Sequence, residues 1–183
     1  MSVPIAFVLD GHDNDSYMLQ GCSNLMRCSV CGELLQRPKV VDAFRLVKKR
    51  DVSATYDGYM VVSQRFVDEW LRIGGDGLEL TSLLEEPGYF VIDASQEVGF
   101  DSERRKTRFE NYRPCCGRYH SVAGATPAFV KSPKDLSPTR ATRTDVIFGS
   151  GDEKHPLIII PLELGKALKR AKLSGLELSD VLA

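Results

Sequence analysis

The chain has 183 residues, of which 43% are hydrophobic, and this composition excludes global disorder. Its formal charge at pH 7 is −1, so it lacks the overall basic excess that is typical of nucleic-acid-binding proteins. Its apolar runs are too short for a secretory signal or a bilayer-spanning helix, so we expect no membrane association and a cytoplasmic location.

The first third of the chain begins with an apolar run typical of a strand, Pro4 to Leu9. Small polar residues from Gly11 to Ser16 predict a turn, and their spacing does not fit a calcium loop. A pair of cysteines, Cys28 and Cys31, predicts the tip of a hairpin, and residues Gly32 to Pro38 form its return arm.

A strand followed by a helix and a second strand is predicted next. Gly58 to Val62 has the β-branched content of a strand. Ser63 is a favourable N-cap for a helix from about Gln64 to Ile73, whose apolar residues recur at spacings of three and four, and two glycines end it. Leu78 to Leu84 then returns as a strand.

The middle of the chain is predicted to consist mainly of strands. Tyr89 to Ala94 is one, and Thr107 to Asn111 leads a second into a turn at Cys115. Ser121 to Val130 predicts a strand pair interrupted by glycine and proline. Lys131 to Pro138 has too little apolar content to pack, which predicts a surface loop.

The last part of the chain repeats the strand–helix–strand pattern. Leu157 to Ile160 is a strand, and Pro161 is expected at the first helical position, where its missing N–H costs nothing. The helix is expected to run through Lys172, and Leu176 to Leu182 closes as a strand.

The two strand–helix–strand patterns share one register. The sequence Gly-Leu-Glu-Leu occurs at 77–80 and again at 175–178, an offset of 98 that also carries Phe66 to Leu164 and Trp70 to Leu168. We therefore predict an α+β fold of duplicated strand–helix–strand units. Residues 1–98 would form the first half and residues 99–183 the second, together one compact domain with a zinc-ribbon-like pair of cysteine hairpins.

The cysteine pattern indicates a metal site. Two residues between Cys28 and Cys31 let a tight turn direct both sulfurs at one ion, and the following glycine accepts the backbone angles of such a turn. A second turn contains Cys115 and Cys116, also followed by glycine. We predict a structural Zn²⁺ bound by these four cysteines.

The fourth ligand stays open at this level. Arg113 stands where a second C-x-x-C pair would have its first cysteine, and vicinal cysteines point to opposite sides of an extended chain. Besides Cys115, His120 and Cys22 are therefore alternatives. Four packed thiols without a metal are a further reading, since free cysteine is often buried as a small hydrophobic residue.

The basic residues are concentrated in one segment. By count, the formal charge is −6 over residues 1–98, +6 over 99–143 and −1 over 144–183. Arg104, Arg105, Arg108 and Tyr112 are our candidates for a partner-binding surface. Arginines between aromatic residues can also bind nucleic acid, but a strand with one packed and one solvated face would give the same pattern and is the preferred reading.

Catalytic motifs are lacking. The sequence has no phosphate-binding glycine-rich loop, nucleophile elbow or H-E-x-x-H helix, and its histidines at 12 and 155 fall in predicted loops. A zinc-dependent enzyme would need an exchangeable position on the metal. We therefore expect a protein that is not an enzyme.

The cysteine turns and the segment from Arg143 to Leu157 resemble those of the bacterial double-CXXCG motif family. That family includes immunity proteins, which protect a cell from toxins delivered by its kin. The resemblance implies that Cys28, Cys31 and Cys116 are metal ligands. The segment from Asp57 to Phe66 is also similar to one in other immunity proteins of polymorphic toxin systems. Together they imply a non-catalytic protein that binds and neutralises a cognate toxin.

Overall fold

The structure is a computed structural model that describes residues 3–183. Over these residues the chain is a mixed α+β fold, as predicted, with fourteen strands and three α-helices. The strands are β1 (Pro4–Asp13), β2 (Met26–Arg27), β3 (Leu34–Gln36), β4 (Val52–Ala54), β5 (Met60–Ser63), β6 (Leu78–Ser82), β7 (Tyr89–Ala94), β8 (Glu97–Val98), β9 (Arg108–Arg113), β10 (Arg118–Ala123), β11 (Ala128–Phe129), β12 (Thr142–Ser150), β13 (His155–Pro161) and β14 (Leu176–Leu182). The helices are α1 (Gln64–Arg72), α2 (Ser102–Arg105) and α3 (Leu162–Arg170).

Twelve of the strands form one large sheet. Its main path runs β6-β7-β5-β4-β1-β13-β12-β10-β9, and β14, β11 and β8 pair beside this path. The sheet is curled, so that strands far apart along this path come close together. Arg143 on β12 reaches Asp93 on β7 at 3.0 Å and Glu97 on β8 at 3.0 Å. Strands β2 and β3 form a separate hairpin.

Strand β1 connects the two halves of the chain. It pairs with β13 on one side and β14 on the other, and its last residues, His12 and Asp13, pair in parallel with β4. The predicted turn from Gly11 to Ser16 starts later than expected, since the strand continues to Asp13 and the chain bends at Asp15. A Cβ atom at Gly11 would lie 2.7 Å from the Cα of Ser53, so glycine permits the close approach of β4 here.

The two strand–helix–strand segments have matching bounds. Helices α1 and α3 start at Gln64 and Leu162, residues 98 apart, and each helix is nine residues long. In neither segment do the two flanking strands pair with each other. Strand β7 lies between β5 and β6, and β1 lies between β13 and β14.

Local signals account for most of the α1 bounds. The Ser63 hydroxyl accepts a hydrogen bond from the Phe66 N–H at 3.3 Å, as expected of an N-cap. The helix ends at Arg72, and Gly74 beyond it has a φ of 78°. In α3, Pro161 is the N-cap and not the first helical residue, and the helix ends at Arg170, two residues before the predicted end.

The core follows the alternation of the strands. On β1, Phe7 packs with the helix side of the sheet, whereas Val8 faces a second apolar cluster that contains Phe100 and Phe148. Along β5, Met60 faces the helices and Val61 faces a third cluster near the amino-terminal loops. Successive residues of a strand point to opposite faces, so the sheet separates the helix-side cluster from the other two.

Elements of the middle segment are present with shifted bounds. Strand β9 runs to Arg113, further than predicted, and β10 starts three residues earlier than predicted, at Arg118. Strand β11 has only two residues, Ala128 and Phe129. The predicted surface loop contains one short 3-10 turn, Pro133–Asp135, with no buried residue in that turn.

Candidate metal centre

The first cysteine turn joins β2 to β3. The Gly32 N–H donates to the Cys28 carbonyl at 2.9 Å, and Gly32 has a φ of 74°. The Cys28 N–H in turn donates to the Glu33 carbonyl at 2.8 Å, which closes the hairpin. Glycine accepts this left-handed conformation without steric cost, so Gly32 lets the turn aim Cys28 and Cys31 in one direction.

The second cysteine turn joins β9 to β10 with the same hydrogen-bond pattern. The Gly117 N–H donates to the Arg113 carbonyl at 2.8 Å, and Gly117 has a φ of 69°. Arg113 thus occupies the place that Cys28 has in the first turn, and Cys116 occupies the place of Cys31. Cys115 lies inside the turn and not on an extended strand, so its side chain need not point away from that of Cys116.

The two turns bring four sulfur atoms together. The Sγ atoms of Cys28, Cys31, Cys115 and Cys116 all lie within 4.8 Å of one another. Those of Cys28 and Cys115 are 3.7 Å apart, as are those of Cys31 and Cys116. Four thiolates around a tetrahedral zinc ion, each about 2.3 Å from it, would lie about 3.8 Å apart. The cluster is therefore a possible metal site.

The other two candidates for the fourth ligand lie elsewhere. His120 Nδ1 is 3.2 Å from the Glu33 carboxylate, and Cys22 does not belong to the sulfur cluster among the described residues. Of the three alternatives, Cys115 is the one whose ligand atom is near Cys28, Cys31 and Cys116.

The thiols have unequal proton affinities. Hydrogen bonds from the backbone N–H groups of Cys31 and Val30 lower the pKa of Cys28 to about 7. The pKa of Cys115 is raised to about 12, first by its hydrogen bond with Cys31 and then by burial and by the sulfur of Cys28. Burial, followed by Cys31, raises the pKa of Cys116. Four neighbouring thiolates repel one another, and a divalent cation would remove that repulsion.

A polar network holds the two hairpins together beside the sulfurs. The Glu33 carboxylate is buried, with 3% of its side chain exposed, between the Lys154 ammonium and the His120 ring. Lys154 also donates to the Tyr119 carbonyl at 2.6 Å. Burial opposes ionisation of Glu33, but hydrogen bonds from Lys154 and His120 outweigh it and lower the pKa of this carboxyl group.

Two arginines add further links between the hairpins and their surroundings. Arg118 on β10 donates to the carbonyls of Leu34 and Leu35 on β3, both at 2.5 Å. Arg27 on β2 makes a bidentate contact with Asp152 at 2.8 and 2.5 Å. Sequence analysis missed these residues, because their partners lie 83 to 125 positions away in the chain.

The predicted partner-binding arginines are largely committed to neighbours. The Arg104 guanidinium lies 4.3 Å from the centre of the Phe129 ring, and Arg105 donates to the Thr126 carbonyl. Arg108 lies 3.7 Å from Glu110. The contacts of the two α2 arginines are therefore within the chain.

Aromatic side chains are exposed along β9 and β10. The rings of Phe109 and Tyr112 each lie close to Tyr119, with centroids 5.2 and 5.1 Å away, and Tyr112 is 54% exposed. Strand β9 has no buried residue, so the predicted packed face was wrong. Asn111 lies between Phe109 and Tyr112 in the sequence and has a φ of 56°, a conformation that asparagine tolerates. The residues on both sides of Asn111 thus place their rings against Tyr119.

The two histidines that were predicted to lie in loops lie on strands β1 and β13 and form specific contacts. His12 lies on β1 and pairs with Glu177 at 2.9 Å, and His155 Nδ1 lies 2.8 Å from the Glu153 carbonyl. Both contacts are at the surface, and neither histidine belongs to the sulfur cluster.

No protein-family model matches the sequence, and a search of curated proteins gives no significant match. The family resemblance of the cysteine turns therefore stays a prediction. Within residues 3–183, no helix has both the length and the apolar character that crossing a bilayer would require.

Proposed function

We propose that the four cysteines bind a structural zinc ion that clamps the two hairpins together in a zinc-ribbon-like arrangement. The single observation that supports this is the convergence of four sulfurs within 4.8 Å from turns 87 positions apart. Thiolate ligands in a tetrahedral set suit zinc. The ion, when bound, would supply cross-linking and charge neutralisation, because four protein ligands leave no position for water or substrate.

A closed site of this kind favours a binding protein over an enzyme. A catalytic zinc ion keeps one coordination position open for water or substrate. A site that included His120 could have kept such a position, but His120 contacts Glu33 instead. We therefore propose a non-catalytic role.

The chain is proposed to derive from a duplicated unit. The matching bounds of α1 and α3 and the inserted middle strand in both segments support this. In the second copy, that middle strand would be β1, taken from the start of the chain.

The function that fits best is that of an immunity-type protein which acts in the cytoplasm and neutralises a cognate bacterial toxin. The exposed aromatic residues of the second hairpin support protein binding, because tyrosine and arginine are enriched among the anchors of interfaces. Nucleic-acid binding is the second candidate, favoured by the cluster of exposed aromatic rings of Phe109, Tyr119 and Tyr112, on which bases could stack. The internal contacts of Arg104 and Arg105 weigh against it.

The test is binding to the protein encoded by the adjacent gene. Both proteins are purified and titrated by calorimetry, with single-stranded DNA as a second titrant at moderate salt. We expect a one-to-one protein complex, since tight complementarity is what neutralisation needs. Binding of DNA but not of the adjacent gene product would refute the immunity proposal in favour of the second candidate.

A further inference from the structure

A cleft of about 940 Å³ lies next to the metal centre. One wall is the return arm of the first hairpin, from Leu34 to Lys39, and the facing wall carries Phe109, Arg118 and Tyr119 of the second hairpin. The remaining sides come from β5, β6 and β7, from residues 143–147 of β12 and from residues 151–158. Each wall therefore includes a strand that leaves one of the two cysteine turns.

The walls are joined by direct contacts as well as by the sulfur cluster. Arg118 donates from one wall to the Leu34 and Leu35 carbonyls of the other. Arg37, further along the first wall, donates to the carbonyls of Asp152 and Lys154 at 2.7 and 2.8 Å. The Arg118 bonds fix the separation of the two walls, and the Arg37 bonds hold the first wall to the turn before β13, so the cleft is preformed.

Large apolar side chains are exposed in this cleft. Phe109 is 41% exposed, Tyr119 38% and Ile147 49%. Met60 on β5 and Ile92 on β7 border the cleft but are buried in the helix-side core, at 8% and 4% exposed. Exposed apolar residues that line one concave surface are typical of a binding site, whereas single ones scattered over a surface are not.

The charges that line the cleft cancel one another. Arg143 pairs with Asp93 and Glu97 at 3.0 Å each, and Lys39 pairs with Glu79 at 3.2 Å. In total five cationic and five anionic side chains line the cleft: Arg37, Lys39, Arg118, Arg143 and Lys154, against Glu79, Asp93, Glu97, Asp145 and Asp152. A phosphate backbone or another strongly charged ligand would have to break these pairs, so charge complementarity favours an uncharged occupant.

We propose that this cleft receives an uncharged and largely apolar segment of a protein partner. The proposal rests on the proposed function in one respect, namely that the protein acts by binding another protein. It locates the contact at Phe109, Tyr119 and Ile147 and not at the arginines of α2.

A phage-displayed random peptide library, panned against the zinc-loaded protein, tests the cleft without a known partner. We expect enrichment of peptides with apolar residues and no net charge. Ile147→Glu places a carboxylate in the cleft and should weaken their binding at least tenfold. Leu71→Glu is the matched control, since Leu71 is 65% exposed on α1 outside the cleft, and it should bind as the wild type does. Circular dichroism checks that both variants fold.

Absence of enriched peptides, enrichment of strongly charged peptides, or equal binding by Ile147→Glu would overturn the proposal. The adjacent gene product separates this failure from failure of the proposed function. If that protein binds the wild type and Ile147→Glu equally, the cleft inference is wrong and the immunity function stands. If it does not bind the wild type while neutral peptides bind the cleft, the immunity function is wrong and the cleft inference stands.

Discussion

Replacement of Cys115 by serine should weaken zinc binding by two to three orders of magnitude. Apparent zinc-binding free energies of structural sites are about 10–16 kcal/mol, so an even share for each of four thiolates is about 2.5–4 kcal/mol. Each 1.4 kcal/mol is roughly a tenfold change in affinity. The four sulfurs already lie within 4.8 Å of one another, so metal binding needs only a small contraction and its energy is not spent on rearranging the hairpins.

Competition with a chromogenic zinc chelator at pH 7.5 measures this change. Cys22→Ser is the matched control, since Cys22 lies outside the cluster and its loss should leave the affinity unchanged. His120→Ala should also leave it within about twofold, because His120 contacts Glu33 and not the sulfurs. Unchanged affinity in Cys115→Ser, or a large loss in His120→Ala, would refute the four-cysteine site.

Proton release on zinc binding gives an independent test of Cys115 as a ligand, with the same variant. With a pKa of about 12, the Cys115 thiol is protonated in the metal-free protein and loses its proton when zinc binds. Zinc affinity of the wild type should therefore fall as the pH is lowered. The slope of log affinity against pH between 6 and 8 should be smaller by about one in Cys115→Ser, and calorimetry in two buffers of different ionisation enthalpy counts the proton directly.

Three further predictions concern stability. Gly165→Ala on α3 should destabilise the fold by about 1–3 kcal/mol, because the new Cβ would lie 2.3 Å from the ring of Phe7; urea unfolding measures it. Ser63→Ala removes the cap of α1 and should cost about 1 kcal/mol in the same assay. Asp51 is expected to stabilise the fold above about pH 4 and to lose this effect as the pH falls. Burial works against its ionisation, but hydrogen bonds from Ser174 and Ser63 outweigh burial and hold its pKa below 3.8.

Each of these has a control. Glu163→Ala, on the exposed side of α3, should cost less than about 0.5 kcal/mol, and an equal loss would contradict the packing argument for Gly165. Ser63→Thr keeps the hydroxyl and should retain most of the stability. For Asp51, wild type and Asp51→Asn are unfolded with chelator present from pH 6 to 2.5. Their difference in unfolding free energy should be constant at the upper end and shrink at the lower end, and a constant difference throughout would contradict the assigned pKa direction.

Local features of the sequence were enough to locate several elements. The serine cap, the spacing of Phe66 and Trp70 and the glycines that follow predicted α1 to within one residue, and both β7 and β14 have their predicted bounds. These elements depend on interactions between residues a few positions apart, which a sequence displays directly.

The partners that complete the site could not be read in this way. Three contacts depend on how distant segments of the chain pack together. Cys115 lies beside the other three sulfurs, Glu33 pairs with Lys154, and Gly11 lies close against β4. Residue type limits which groups can bind a metal or form an ion pair, but the distance between two such groups is set by the packing of everything between them. The α+β class and the cysteine turns could therefore be predicted from the sequence. The position of the fourth sulfur and the shape of the cleft are determined by the tertiary packing of the sheet.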